Sequence, residues 1–281
     1  MDHRYFVADV FTDKPLEGNQ VAVFTEGEAV PESLMQAVAR EMKLAETVFV
    51  FPPEQGGDVR VRIFTPSTEL PFAGHPVLGT AFVVGALDSS LDTVLIETKM
   101  STVPVAIERE SSDVVFGRMD QPVPTSAPCP DAERLLEALG VSASGLPIEA
   151  YTNGPRHVYV ELASEDAVRG VTPDLVALEQ LGEHGTSCFA GSEGRWKTRM
   201  FAPALGVPED AATGSAAGPL AVHLAKHGRS GFGQQIEIRQ GAEIGRPSTL
   251  FASAHGTAGK IERVVVGGSA VVVAEGRYRL D

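Results

Sequence analysis

Two carboxylates, a hydroxyl and a run of small residues stand together in Glu209-Asp210-Ala211-Ala212-Thr213-Gly214-Ser215-Ala216-Ala217-Gly218, directly before an apolar segment ending Lys226-His227-Gly228. This pattern predicts a loop that turns into a helix, with Ser, Thr, Asp and Gly as N-terminal caps and Gly228 past the last periodic position. Backbone N–H groups at such a start lack intrahelical acceptors, and the helix dipole adds partial positive charge there. Glycine lets a ligand come close to that backbone. The chemistry is that of a small anion site with acidic and hydroxyl groups beside it. An acid next to an anion cradle suits a ligand that also carries an amine or hydroxyl, so an amino-acid-like zwitterion fits. Of Glu209 and Asp210, one is expected to face the ligand and the other solvent.

The arrangement occurs twice. Arg62-Ile63-Phe64-Thr65-Pro66 leads to Glu69-Leu70-Pro71-Phe72-Ala73-Gly74-His75, and Arg199-Met200-Phe201-Ala202-Pro203 leads to Glu209 through Ser215. Both copies read R-x-F-x-P, a loop, then E-x-x-x-x-G with a polar residue and an apolar helix. Glu69 and Glu209, like Gly74 and Gly214, are separated by the same 140 positions (209−69, 214−74). Two similar lobes are expected, each presenting a helix N-terminus. His75 and Ser215 occupy matching places. His75 suits a ligand carboxylate or a proton relay, with helix capping or packing as the alternative. For Ser215 and Thr213 an ordinary cap competes with a binding role, and no G-x-S-x-G points to a nucleophile.

Glu46 lies between Leu44-Ala45 and the apolar stretch Val48–Phe51. Loss of water and a nearby helix C-terminus favour a carboxylate that holds its proton, as a shuttle working near neutrality needs. A solvated residue where helix becomes strand is the competing reading. No phosphate-binding G-x-x-x-x-G-K-[ST] or G-x-G-x-x-G occurs. His223 and His227 are four apart but lack H-E-x-x-H, so packing and dipole compensation are expected of them rather than a metal. Lys14, Lys43 and Lys226 lack a pyridoxal-type context. The expectation is a site without metal or organic cofactor.

Bulk properties narrow the classes. Thirty-seven acidic residues against 23 basic give a net charge of −14, which disfavours nucleic acid and anionic membranes as partners. The N-terminal Met1-Asp2-His3-Arg4-Tyr5-Phe6-Val7 lacks a signal-peptide profile, and no apolar run approaches a membrane span. With only Cys129 and Cys188, free buried thiols in a cytoplasmic protein are expected.

The elements that must position these residues read as many strands and few helices, hence an α+β chain. Pro31 opens an amphipathic helix with Leu34, Ala37, Val38 and Met42 on its buried face. Strands follow near 48–51, 59–64, 94–98, 103–108 and 114–119. The Pro/Ser/Thr-rich stretch 119–130 reads as a linker. Beyond it come a helix over 131–139 stopped by Gly140, a turn at Asn153-Gly154-Pro155, a strand over 156–161 and a helix opened by Thr172-Pro173. The helices after Gly74 and Gly214 are apolar on most faces, as enclosure by a sheet requires. Two lobes with their mouths facing one another result: residues 1–120, with a final strand near 268–281 returning to it, and residues 130–267.

Leu44-Ala45-Glu46-Thr47-Val48-Phe49-Val50, Glu69 through Pro76, and Glu209 through Ala216 resemble the signatures of the PhzF family. Met119-Asp120-Gln121-Pro122, Asn153-Gly154-Pro155-Arg156-His157 and Gly245-Arg246-Pro247-Ser248 resemble its phenazine-biosynthesis members. The resemblance implies a diaminopimelate epimerase-like fold, two pseudo-symmetric lobes with a sheet wrapped round a central helix in each. It implies a homodimeric, cofactor-independent isomerase of trans-2,3-dihydro-3-hydroxyanthranilate. By the same resemblance Glu46 is the acid/base moving a proton from C3 to C1. His75, Asp210 and Ser215 hold the substrate and assist, while Gly74, Gly214 and Asn19 contact it. The usual Gly-Asn-Pro is Gly18-Asn19-Gln20 here, which removes a rigid proline from that loop. The two cysteines of diaminopimelate epimerase would fall near His75 and Ser215, which disfavours a two-thiol mechanism. A cofactor-free racemase or epimerase of another small amino acid, and a non-catalytic ligand-binding protein of the same fold, are the alternatives.

Overall fold

The computed structural model describes residues 2–280. Short apolar runs carry the chain through β1 (Asp2–Val10) and β2 (Asn19–Phe24), which pair antiparallel. Helix α1 (Glu32–Met42) leads to β3 (Glu46–Phe51), parallel to β2, and β4 (Val59–Phe64) turns back against β3. The short β5 (Glu69–Leu70) precedes α2 (Gly74–Leu87). A meander follows: β6 (Thr93–Glu97), β7 (Thr102–Glu110) and β8 (Asp113–Gln121).

Next come β9 (Thr125–Pro128), α3 (Ala132–Leu139), β10 (Glu149–Thr152) and β11 (Arg156–Glu161). Two short helices, α4 (Glu165–Gly170) and α5 (Leu175–Gln180), lead to the antiparallel pair β12 (Gly185–Ser192) and β13 (Arg195–Ala202). After β14 (Val207–Asp210) the chain forms α6 (Gly214–Lys226). Strands β15 (Ile236–Gln240), β16 (Ser248–Thr257), β17 (Lys260–Gly268) and β18 (Ala270–Arg279) complete it.

The chain divides into two compact units, Met1–Asp120 with Gly267–Asp281, and Gln121–Val266. In the first, β18 returns to pair antiparallel with β1 along nearly its whole length, Asp2 opposite Arg279 and Val10 opposite Ala270. Helix α2 packs against β1, β2, β3, β6, β7 and β18 and is buried along almost its whole length. Such enclosure needs small residues on the helix: a Cβ on Gly79 would lie 2.6 Å from Val21 and 2.9 Å from Val10. In the second unit α6 has the same role, buried from Gly214 to Ala225 and packed on β11 and β16. A Cβ on Gly218 would meet Gln121, Val264 and Val266.

Three local expectations are corrected. Helix α1 buries Met35, Val38 and Ala39, with Met42 partly covered, while Leu34 and Ala37 are exposed. The expected and observed stripes both have the spacing of one helix face (i, i+3, i+4, i+8 and i, i+3, i+4, i+7), so periodicity alone does not separate them, and the face that packs lies one residue further round. The supposed linker is largely sheet: β8 runs to Gln121, and β9 pairs with β10, Thr125 opposite Thr152 and Pro128 opposite Glu149. All four residues of β9 are exposed, and proline is tolerated on such an open strand. Thr172-Pro173 does not open α5. Asp174 does so, its side chain accepting from the Ala177 N–H at 3.0 Å. The two cysteines are free, Cys188 buried and Cys129 half-buried; burial pushes the Cys188 thiol up to about 12.

Candidate active site

The duplicated motif has a structural cause. In the first unit Arg62, on β4, grips Glu69 with both ends of its fork, Nε to Oε1 at 2.8 Å and Nη2 to Oε2 at 2.9 Å. In the second unit Arg199, on β13, grips Glu209 with the same atoms, both at 2.8 Å. Each guanidinium also lies over the phenylalanine two residues on, 5.2 Å from the Phe64 ring and 5.0 Å from the Phe201 ring. Bidentate pairing fixes geometry as well as charge, so each clamp sets the entry of the loop that leads into a central helix. Glu209 is therefore bound to Arg199 and faces neither ligand nor solvent, contrary to the expectation for the Glu209-Asp210 pair.

The first unit brings Glu46, His75 and Asn19 together. Helix α1 stops at Lys43, which adopts the left-handed conformation (φ 54°), and β3 then begins with Glu46 opposite Val21 of β2. That register sets Glu46 beside the start of β2. His75 is the second residue of α2. Its Nδ1 accepts from the Asn19 amide at 3.2 Å. Its Nε2 faces the Gln20 carbonyl at 3.3 Å and Glu46 Oε2 at 3.0 Å. With Nδ1 accepting, the ring proton sits on Nε2 and is donated to the Gln20 carbonyl, while Glu46 Oε2 lies within ion-pair distance but makes no hydrogen bond. Glu46, His75 and Asn19 are all buried. Gly18 sits at φ 70°, where an added Cβ would lie 2.4 Å from the Val10 carbonyl. Glycine is thus required to deliver Asn19 into β2.

The second unit gathers a hydrogen-bonded network at the start of α6. Asp210 ends β14, and its Oδ2 accepts from the Thr213 hydroxyl at 2.6 Å. Gln240 donates to the Asp210 carbonyl and to Thr213 Oγ1, both at 2.9 Å, and accepts from Thr198 at 3.1 Å. Thr213 occupies the N-cap position of α6, but its hydroxyl makes no capping bond; it is committed to Asp210 and Gln240. Neither central helix is closed by a side-chain cap.

Ser215 Oγ shares a 3.0 Å hydrogen bond with His157 Nε2. Burial, with His184 nearby, pushes the His157 imidazole down to about 3, so the ring is neutral near pH 7. Three further side chains hold the first turn of α6 from outside. Gln121 donates to the Gly214 carbonyl at 2.8 Å, Asn153 to that of Ser215 at 3.0 Å, and Tyr159 to that of Ala216 at 2.7 Å. The Asn153 bond has a specific cause. Pro219 lies inside α6 and has no N–H for the carbonyl four residues back, which is that of Ser215. His157, Gln240, Asn153, Gln121 and Tyr159 carry no role in the sequence reading.

Chemically, a buried carboxylate beside an imidazole can exchange protons with a bound carbon acid. The ordered hydroxyl, carboxylate and helix start of the second unit can hold polar groups. Residues 8–276 match the family model described as phenazine biosynthesis-like protein.

The chain belongs to the PhzC-PhzF family.

A trans-2,3-dihydro-3-hydroxyanthranilate isomerase of Pseudomonas fluorescens is 53% identical over 275 residues, covering 98% of each chain. The protein of that name in Pseudomonas aeruginosa is 52% identical over 278 residues, covering 99% of this chain and 100% of its own. Among solved structures, a phenazine biosynthesis protein of the PhzF family from Bacillus anthracis aligns with TM-score 0.85 over 100% of both chains at 24% identity, a likeness of fold. The fold of this PhzC-PhzF member is α+β and diaminopimelate epimerase-like, with a central helix and its sheet in each unit. Among the described residues no helix is long and apolar enough to cross a membrane.

Proposed function

We propose that this PhzC-PhzF member isomerises trans-2,3-dihydro-3-hydroxyanthranilate in phenazine biosynthesis by side-chain proton transfer. The observation that carries the reading is the buried Glu46–His75 contact of 3.0 Å, in a chain 53% identical to an isomerase named for that substrate. Glu46 takes a proton from C3 and returns one to C1, so the atoms balance without an added reactant; the enol formed goes on to an aminoketone. His75 assists through Nε2. Asp210 and Ser215 bind the polar groups of the substrate, and the backbone of Gly74 and of Gly214 contacts it. Asn19, whose amide nitrogen is spent on Nδ1 of His75, contributes by holding that ring.

The reading needs no cofactor, because acid and base are supplied by the chain. It takes the protein as a cytoplasmic homodimer, which light scattering on the purified chain tests. Incubation with the substrate in heavy water is expected to consume its absorbance and to place deuterium in the product. Recovery of unchanged substrate overturns the assignment.

A further inference from the structure

A separate cluster of ligating side chains lies at the other end of α6. His223 and His227 follow one another by a helical turn and meet Glu149 of β10. His223 Nδ1 lies 3.3 Å, and His227 Nε2 3.0 Å, from Glu149 Oε2. The three donor atoms lie within 4.8 Å of one another. Spacing in the sequence offers only the histidine pair; the fold adds a carboxylate from a strand more than seventy residues away.

We propose that Glu149, His223 and His227 form a binding site for a divalent transition-metal ion of the zinc class. A tetrahedral ion with bonds of about 2.0–2.1 Å spaces its ligand atoms by about 3.3–3.4 Å. The two imidazole–carboxylate separations are already close to that. Two imidazole nitrogens and one carboxylate oxygen suit zinc and its neighbours, and the fourth position falls to water. The carboxylate is oriented from outside, since Tyr151 donates to Glu149 Oε2 at 2.8 Å, the kind of outer bond that fixes a ligating carboxylate. The His223 ring is fully buried, stacked on Tyr159 at 5.6 Å and edge-on to Phe189 at 5.9 Å. His227 and Lys226 are about a fifth exposed and leave an approach from solvent. The net charge of −14 favours a cation at such a place.

Lys226 sets the alternative state. Its Nζ lies 3.2 Å from Glu149 Oε1 and 3.3 Å from Oε2, so ammonium and metal compete for one carboxylate. Twelve residues of helix at 1.5 Å each put His227 about 18 Å from Ser215. The ion therefore ties β10 to α6 and takes no part in the proton transfer proposed above.

Calorimetric titration of the chelator-treated full chain with Zn2+ is expected to show one site per chain. Co2+ in its place is expected to give the visible absorption of a four-coordinate ion. His227→Ala, with folding verified by thermal unfolding without metal, is expected to weaken Zn2+ binding by about 100-fold. Lys226→Ala, which removes the rival cation, is expected to tighten it. Failure to bind Zn2+ overturns the site, and so does binding that His227→Ala leaves unchanged.

Discussion

The two units set equivalent scaffolds to different work. Each carries an arginine–glutamate clamp, a glycine at the start of an enclosed helix and a polar residue directly after it. In the first unit that polar residue is His75, in contact with the carboxylate of Glu46. In the second it is Ser215, bonded to a neutral imidazole, beside a carboxylate already bonded to a threonine hydroxyl. On the function proposed above, the first half moves protons and the second holds the polar groups of the substrate. A duplicated scaffold thus separates the parts that must be identical, which set helix entry, from the one position free to acquire chemistry.

The largest effect expected from breaking this contrast is at Glu46. Glu46→Gln keeps size and polarity but cannot shuttle a proton, and turnover should fall about 100- to 10,000-fold. Binding of 3-hydroxyanthranilate, measured by calorimetry, should persist; undiminished turnover removes Glu46 from the chemistry. The clamps come next. Arg199→Met strands Glu209 in a poorly hydrated place and also removes donors to the Val171 and Arg169 carbonyls. Its cost should be about 3–5 kcal/mol in denaturant unfolding. Arg62→Met, whose additional partner is the exposed Glu32, should cost less. Lys99, 2.7 Å from Glu69, also remains to pair that carboxylate, so equal costs would mean that neither this bridge nor the carbonyl bonds matter.

The third expectation concerns acid. His157 binds a proton near pH 6.5 when unfolded but only at about 3 when folded. Its folded value is depressed, so the neutral ring's contribution is intact above the unfolded value and is lost as pH falls. The loss is about 1.4 kcal/mol per pH unit between those values. In His157→Gln, urea unfolding across that range should show a shallower decline than in the parent; an identical slope would refute a buried neutral His157. The smallest effect is at Asn19. Asn19→Ala removes one hydrogen bond that holds the His75 ring, worth about 1 kcal/mol, so turnover should drop up to about tenfold while substrate affinity changes little. A larger loss of affinity than of turnover would make Asn19 a direct substrate contact.

The central helices were legible because an apolar segment with small residues on every side has only one place to go. His75 and Ser215 were singled out by the repeat, Asp210 by its place beside Glu209 and Glu46 by its place before an apolar stretch, while the roles proposed for them came with the resemblance to the PhzF family. The partners that fix them were not, because Gln240 and His157 reach Thr213 and Ser215 across 27 and 58 positions, and no local pattern encodes such a meeting. Glu209 is the instructive error: the Arg ahead of each Glu was already part of the repeat and could have been read as its partner. Strand β12, Gly-Thr-Ser-Cys-Phe-Ala-Gly-Ser, escaped notice because it lacks the branched residues that mark strands; pairing with β11 and β13 makes it one.

The pairing of β18 with β1 imposes an order of events during synthesis. The second unit is one unbroken stretch of chain and has all its strands once residue 266 has emerged. The first unit, although its opening strand is made before any of the second unit, must wait for its final one. Until then β1 offers an open edge to whatever strand is nearby, so the half that carries Glu46 is the last to mature and the one most in need of protection on the ribosome.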